Sequence, residues 1–289
     1  MREVRSVRRF CFLLAAISSA VSAMAAETGH LHHIHMNVSD IQKTTSFYQK
    51  TFGVVPIQYN NRVPALLLDR SFLFLNRMDA SKIQNHQLTG LTHGSWSTAD
   101  GPQTFERLKS QGVEFYTPVE ELFPGSTYMY AYGPDREVIE IVDIQRHHRF
   151  NHVHLVAKDE KQSEQTAQWF EALIASPRPA TTGKMGDHTI RNLNVDGVAV
   201  TVLPIGARFT PRENDGTLRN TEGTQLDHLA FSFRDLPAAY SRIRKMGVEI
   251  VQPMKRDPDY GFRHFFVRAP NGVLVELVEA KPWPDAAWE

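Results

Sequence analysis

The stretch LHHIHMNVSD (31–40) returns at 150–159 as FNHVHLVAKD, so that His33, His35 and Asp40 fall on His152, His154 and Asp159 at a constant offset of 119. Two further starts share the outline: LTHGSWSTAD (91–100), with His93 and Asp100, and LDHLAFSFRD (226–235), with His228 and Asp235. A recurring period of this kind means one supersecondary unit used several times. After each start the pattern predicts a helix, over 41–52, 102–111, 160–175 and 236–246. Gly53, Gly112 and Gly247 supply stops, and Pro102 and Pro237 sit near helix starts, where a missing N–H costs little. Apolar strands come next in each unit. The second and fourth units close alike, YMYAYGPDREVIEIV (128–142) matching HFFVRAPNGVLVELV (264–278) at an offset of 136, each with a Pro-containing turn between two strands. The chain is therefore four units, each reading strand, helix, then several strands.

Around these units the bulk composition is that of a globular protein: 289 residues, 42% hydrophobic, with Lys+Arg 32 against Asp+Glu 32. A net charge of +0 and the lack of any long basic run leave no footprint for nucleic acid, so the expected partner is a small molecule. Residues 1–25 read as a secretory signal: Arg2, Arg5, Arg8 and Arg9, the apolar run FCFLLAAISSAV, then Ala23-Met24-Ala25. The run is too short to span a bilayer, which needs roughly 20 residues. The expectation is a mature protein exported to the periplasm or secreted, free of the membrane after cleavage. Cys11, the single cysteine, lies inside that segment, so any metal in the mature chain must rest on His and carboxylates.

Units one and two make a first half, residues 27–145, and units three and four a second, 151–281, with RHHRF (146–150) as linker and 282–289 as tail. In an extended strand alternate residues share a face. Ile34, Met36 and Val38 then point to the core while His33, His35 and Asn37 face the other way, and the same holds for Val153 and Leu155 against His152 and His154. Leu229, Phe231 and Phe233 oppose His228; Ile139 and Ile141 oppose Glu140; Val273, Val275 and Leu277 oppose Glu276. Each half is thus expected to aim two histidines and one glutamate at a common place. Two imidazoles and a carboxylate form the facial triad that holds a divalent metal and leaves positions open for substrate. His35 and His154 are candidates for proton transfer beside it, the alternative being plain burial. His30 and His32 are read as strand-entry residues and His147 and His148 as solvated linker. Arg208, Arg212 and Arg219, in the long connector 204–225, either reach an anionic substrate or are solvated.

At these residues the chain resembles the vicinal oxygen chelate superfamily, the group of glyoxalase I, bleomycin-resistance proteins and extradiol dioxygenases. The resemblance rests on LHHIHMNVSD, LDHLAFSFRD, SFYQKTFGV and APNGVLVELVE and covers nearly the whole mature chain. It implies an α+β fold of four βαβββ modules paired into two half-barrel cups. It implies metal ligands His33, His93 and Glu140 in the first half and His152, His228 and Glu276 in the second. Tyr130, ten residues before Glu140, matches a tyrosine common in ring-cleaving dioxygenases, where Phe266 stands in the second half; the alternative is an aromatic strand face in the core. The closing strands SFLFLNR (71–77) and VAVTVLP (198–204) lack the carboxylate of the glyoxalase I arrangement. The usual acid–base histidines are not at their places, leaving His35, His154, His188 and His264 as candidates by position. The implied function is a metal-dependent enzyme for a small molecule with adjacent oxygens, an extradiol-type dioxygenase on Fe(II) or Mn(II) ranking first. A glyoxalase-like lyase or isomerase on Zn, Ni or Co and a drug-sequestering binding protein remain alternatives, and a homodimer is left open.

Overall fold

The structure is a computed structural model that describes residues 26–144, 148–208 and 217–280. Residues 1–25, read above as a signal, with Cys11 among them, together with His147, Arg212 and the tail, lie outside the described residues. Unit one comprises β1 (His30–Val38), α1 (Ile41–Phe52), β2 (Val55–Tyr59), β3 (Val63–Leu67) and β4 (Phe72–Arg77). Unit two comprises β5 (Leu91–Ser97), α2 (Gly101–Ser110), β6 (Phe115–Phe123), β7 (Ser126–Tyr132) and β8 (Val138–Val142). Unit three runs through β9 (Arg149–Ala157), α3 (Glu160–Leu173), β10 (Thr181–Met185), β11 (His188–Val195) and β12 (Val198–Pro204). Unit four runs through β13 (Leu226–Phe233), α4 (Leu236–Lys245), β14 (Ile250–Arg256), β15 (Arg263–Arg268) and β16 (Leu274–Glu279). No helix among the described residues is long and apolar enough to cross a membrane.

The aspartate that ends every opening motif has a local cause. Asp40, Asp100, Asp159 and Asp235 are the N-caps of the four helices, each accepting the backbone N–H three residues on, at 3.0, 2.9, 2.7 and 3.0 Å. Such a cap satisfies a helix N–H that has no partner within the helix. In every unit the helix lets the chain cross over so that the last strand lies parallel to the first, and the middle strands then meander antiparallel to the edge.

The units assemble into two curled eight-stranded sheets, ordered β14-β15-β16-β13-β1-β4-β3-β2 and β10-β11-β12-β9-β5-β8-β7-β6. This corrects the expected grouping: the halves of the chain are not the two cups. Unit one joins unit four through the antiparallel pair β1–β13 (cup A), and unit two joins unit three through β5–β9 (cup B). The RHHRF joint connects β8 and β9 inside one sheet. The chain changes sheet at the two longer connections, which pair with each other through Gln84–Thr224 and Thr89–Arg219. Ile34, Met36, Val38, Val153, Leu155, Leu229 and Phe231 all enter one hydrophobic core drawn from both sheets and their helices. Packing the apolar faces together leaves the histidine-bearing faces turned into the two cups. The closing turns fasten the sheets: Asp135 accepts from the Ser39 N–H at 2.9 Å, and the Asn271 amide donates to Val156 O at 3.0 Å.

Candidate metal centres

Each first strand carries one residue too many for its partner, and in all four cases the extra residue directly precedes a ligand histidine. Register slips at His32 and Asp227 in β1–β13, and at Thr92 and Asn151 in β5–β9. A bulge of this sort re-aims side chains locally. In three of the four it brings the bulged residue behind the Nδ1 of the next imidazole. His32 Nδ1 lies 2.8 Å from His33 Nδ1, Thr92 Oγ1 3.2 Å from His93 Nδ1, and Asp227 Oδ1 2.7 Å from His228 Nδ1. Strict alternation misses this arrangement, so the reading of His32 as a strand-entry residue is corrected: it is buried among aromatic rings. His30, by contrast, stays partly exposed and pairs with Asp196 at 2.9 Å.

In all four ligand histidines the Nε2 atom faces forward onto a carboxylate, with Nδ1 held from behind in His33, His93 and His228. In cup B, His93 and His152 Nε2 stand 3.2 and 2.7 Å from Glu140 Oε2, and His154 Nδ1 is 3.8 Å from the same oxygen. In cup A, His33 and His228 Nε2 stand 3.1 and 3.3 Å from Glu276 Oε2, His264 bonds the other carboxylate oxygen, and His35 stacks on His228 at 4.5 Å. The six ligand candidates therefore do come together, but across the chain halves. His33 serves with His228 and Glu276, and His152 with His93 and Glu140. His188 is not in either group and faces Glu160 at 3.6 Å.

The donor sets fit a divalent cation. Two imidazole nitrogens converging with one buried carboxylate oxygen satisfy the preferences of Fe, Mn, Zn, Ni or Co. His93, Glu140, His152 and His154 offer ligand atoms within 4.8 Å of one another, as do His33, His35 and His228. Burial pushes the Glu140 carboxyl up, yet the imidazoles of His152 and His93 outweigh it and hold the group well below the usual carboxylate range. Burial likewise keeps His93 and His154 below the ordinary imidazole value, which leaves their lone pairs available near neutrality. His228 differs: burial lowers it, but Asp227 and Glu276 raise it to about 9.

The cups part company in what surrounds the donors. Beside the ligand strand of cup A, β4 sets Phe72 and Phe74 opposite His33 and His35. Phe74 stacks on His33 at 4.1 Å and on Tyr260 at 5.4 Å, and Tyr59 and Phe262 close around His32. At the matching places of cup B, β12 sets Ala199 and Thr201 opposite His152 and His154. The smaller side chains leave a cavity of about 350 Å3 that reaches Glu140, His152 and His154. This difference stands in the sequence, SFLFLNR against VAVTVLP, as a contrast of size rather than of charge. Tyr130, opposite Glu140 on β7, packs edge-on against His93 at 5.1 Å, and its buried hydroxyl has no hydrogen-bond partner. Arg208 is not in this cavity; its guanidinium bonds Tyr128 and lies 3.9 Å from Glu120.

Four βαβββ units closed into two cups, each with a His, His, Glu set that could hold a metal ion, define the class of fold and site. Within it, the chain belongs to the Glyoxalase/Bleomycin resistance protein/Dioxygenase superfamily, whose family model matches residues 30–141 and 144–277. No curated protein matches. Among solved structures, glyoxalase I from Zea mays is similar with a TM-score of 0.66 at 16% identity, covering 87% of this chain and 92% of that one. A dioxygenase candidate from Bacillus subtilis is similar with a TM-score of 0.61 at 19% identity, covering 88% and 86%. At these identities the likeness is one of fold.

Proposed function

We propose that the protein is an exported, metal-dependent enzyme of extradiol dioxygenase type that works in cup B on a small molecule with neighbouring oxygens. The observation that carries this reading is the open cavity reaching Glu140, His152 and His154, with the Tyr130 hydroxyl, which has no hydrogen-bond partner, on the residue paired with Glu140 across β7–β8. Export is supported by the Arg-rich, apolar, small-residue order of the first 25 residues. A metal held by His93, His152 and Glu140 would supply a Lewis acid for two adjacent substrate oxygens and, as Fe(II) or Mn(II), a centre for reaction with dioxygen.

The rest falls to the chain. Burial, reinforced by the nearby Glu140 charge, holds the Tyr130 phenol well above its usual range, so it stays protonated and donates a hydrogen bond to a substrate oxygen. His154 is kept neutral by burial and by His152 and His93, and its Nδ1 can take the proton that a substrate hydroxyl gives up. Leu122, Val142 and Met185 flank the cavity with apolar surface suited to a ring. Cup A keeps a complete donor set but fills the equivalent space with Phe72 and Phe74, which suits a structural site.

The test is oxygen uptake by the metal-free protein reconstituted with Fe(II) or Mn(II) and given catechol. Uptake equimolar with catechol and a ring-opened product are expected. Thr201→Phe, which builds the cup A ring into cup B, should abolish that uptake with metal content unchanged. Catechol bound without oxygen consumed, with either metal, would contradict the dioxygenase reading in favour of a lyase or a binder.

A further inference from the structure

Three of the four bulged residues are engaged: His32, Thr92 and Asp227 each lie within 3.2 Å of the next imidazole along the chain. Asn151 is the fourth. It occupies the equivalent bulge ahead of His152, yet neither its amide nitrogen nor its oxygen has a partner, although the residue is only 5% exposed. An amide buried in this way carries an uncompensated desolvation cost for each group left unsatisfied. Asn151 lines the cup B cavity rather than its back wall, together with Asn192 and Asn194 on β11. Asn192 Oδ1 already accepts from the Thr201 hydroxyl at 2.7 Å, so what Asn192 can offer a ligand is its N–H2. At the matching places of cup A stand Ala65 and Leu67, opposite Phe74 and Phe72. The polar wall is thus peculiar to the open cup. No lysine or arginine lines this cavity among the described residues.

We propose that the carboxamide wall of Asn151 and Asn192 selects the substrate's far end. The class it takes is a vicinal-oxygen compound, such as a catechol, bearing an uncharged substituent that both donates and accepts hydrogen bonds, a hydroxyl or a carboxamide, and bearing no carboxylate. This rests on the reading of cup B as the chelating site. A primary amide gives and takes one hydrogen bond with such a substituent at once. An anionic substituent would lose its hydration and find no cation among the described residues that line that end of the cavity.

The test is calorimetric titration of the Co(II)-loaded protein with catechol, 3,4-dihydroxybenzamide and 3,4-dihydroxybenzoate. The expected result is benzamide binding about tenfold more tightly than benzoate, the scale of one well-made hydrogen bond. Asn151→Ala should erase most of the difference between benzamide and catechol while cobalt content stays at the wild-type level. Asn192→Ala, nearer the rim, should reduce it in the same direction and guards against a folding defect in the first variant. Benzoate binding as tightly as benzamide in the wild type would overturn the inference while leaving the chelate reading intact. So would loss of cobalt from Asn151→Ala, which would show that Asn151 holds His152 instead. Failure of all three catechols to bind would overturn the chelate reading itself, and the inference with it.

Discussion

Glu140→Ala is expected to remove one equivalent of bound metal and to abolish turnover, whereas Glu276→Ala removes the other equivalent and leaves turnover in place. The reason is geometric: Glu140 Oε2 is the point on which the His93 and His152 Nε2 atoms converge, and Glu276 Oε2 plays that part for His33 and His228. Groups merely behind a ligand are worth about 10–100-fold in metal affinity, so losing a ligand carboxylate should cost more than about 100-fold. Double variants discriminate between the two groupings. His152→Ala added to Glu140→Ala should lower metal content no further, since one site is already gone. His152→Ala added to Glu276→Ala should empty both. Elemental mass spectrometry on the four proteins reads the pattern, and the reverse pattern would restore cups confined to the chain halves.

Glu137→Gln is expected to stabilise the protein at alkaline pH and to change little at acid pH. Glu137 is buried, accepts from the Tyr48 hydroxyl at 3.1 Å and from the Asp135 N–H at 2.9 Å, and has no cationic partner among the described residues, so burial raises its carboxyl from 4.5 to about 7. Below about pH 4.5 the group is protonated folded and unfolded, and stability is untouched. Between 4.5 and about 7 the unfolded chain ionises first, so stability is progressively lost as pH rises. Above about 7 the native group ionises as well and the loss levels off at about 3 kcal/mol. Glutamine keeps a donor and an acceptor without the charge. Urea unfolding of both proteins at about pH 4.5 and about pH 8 should show the variant more stable by about 2–3 kcal/mol at the higher pH and close to equal at the lower. A gap independent of pH would mean that packing, not ionisation, separates them.

Much of the fold was legible because repetition and alternation are local signals. The four openings, the helices after them and the inward faces of His33, His152 and His228 could be read from spacing, and His93 followed from the resemblance of its opening. Pairing of units could not, and the reason lies in the repeat itself. Unit one resembles unit three and unit two resembles unit four, so joining one with two or one with four brings together the same residue types: a lone histidine from one module, a histidine and a glutamate from the other. The usable clue was connector length. The short RHHRF joint stays within a sheet, while the long stretches after β4 and β12 change sheets. The bulges are invisible to alternation, because one inserted residue shifts every later side chain onto the other face. For that reason alternation makes His32 a strand entry and passes over Asn151. The choice of the open cup lies in plain view as Ala199 and Thr201 against Phe72 and Phe74, but it becomes meaningful only when the registers place those residues opposite the histidines.

The most direct test of the central claim, that the working centre is built from His93, Glu140 and His152, is anomalous diffraction at the cobalt edge from crystals of the Co(II)-loaded protein. The geometry predicts a peak about 2.0–2.2 Å from the His93 and His152 Nε2 atoms and a Glu140 oxygen, facing the cavity bounded by Ala199 and Thr201. A peak that pairs His93 with His33, or cobalt in cup A with none in cup B, would contradict it.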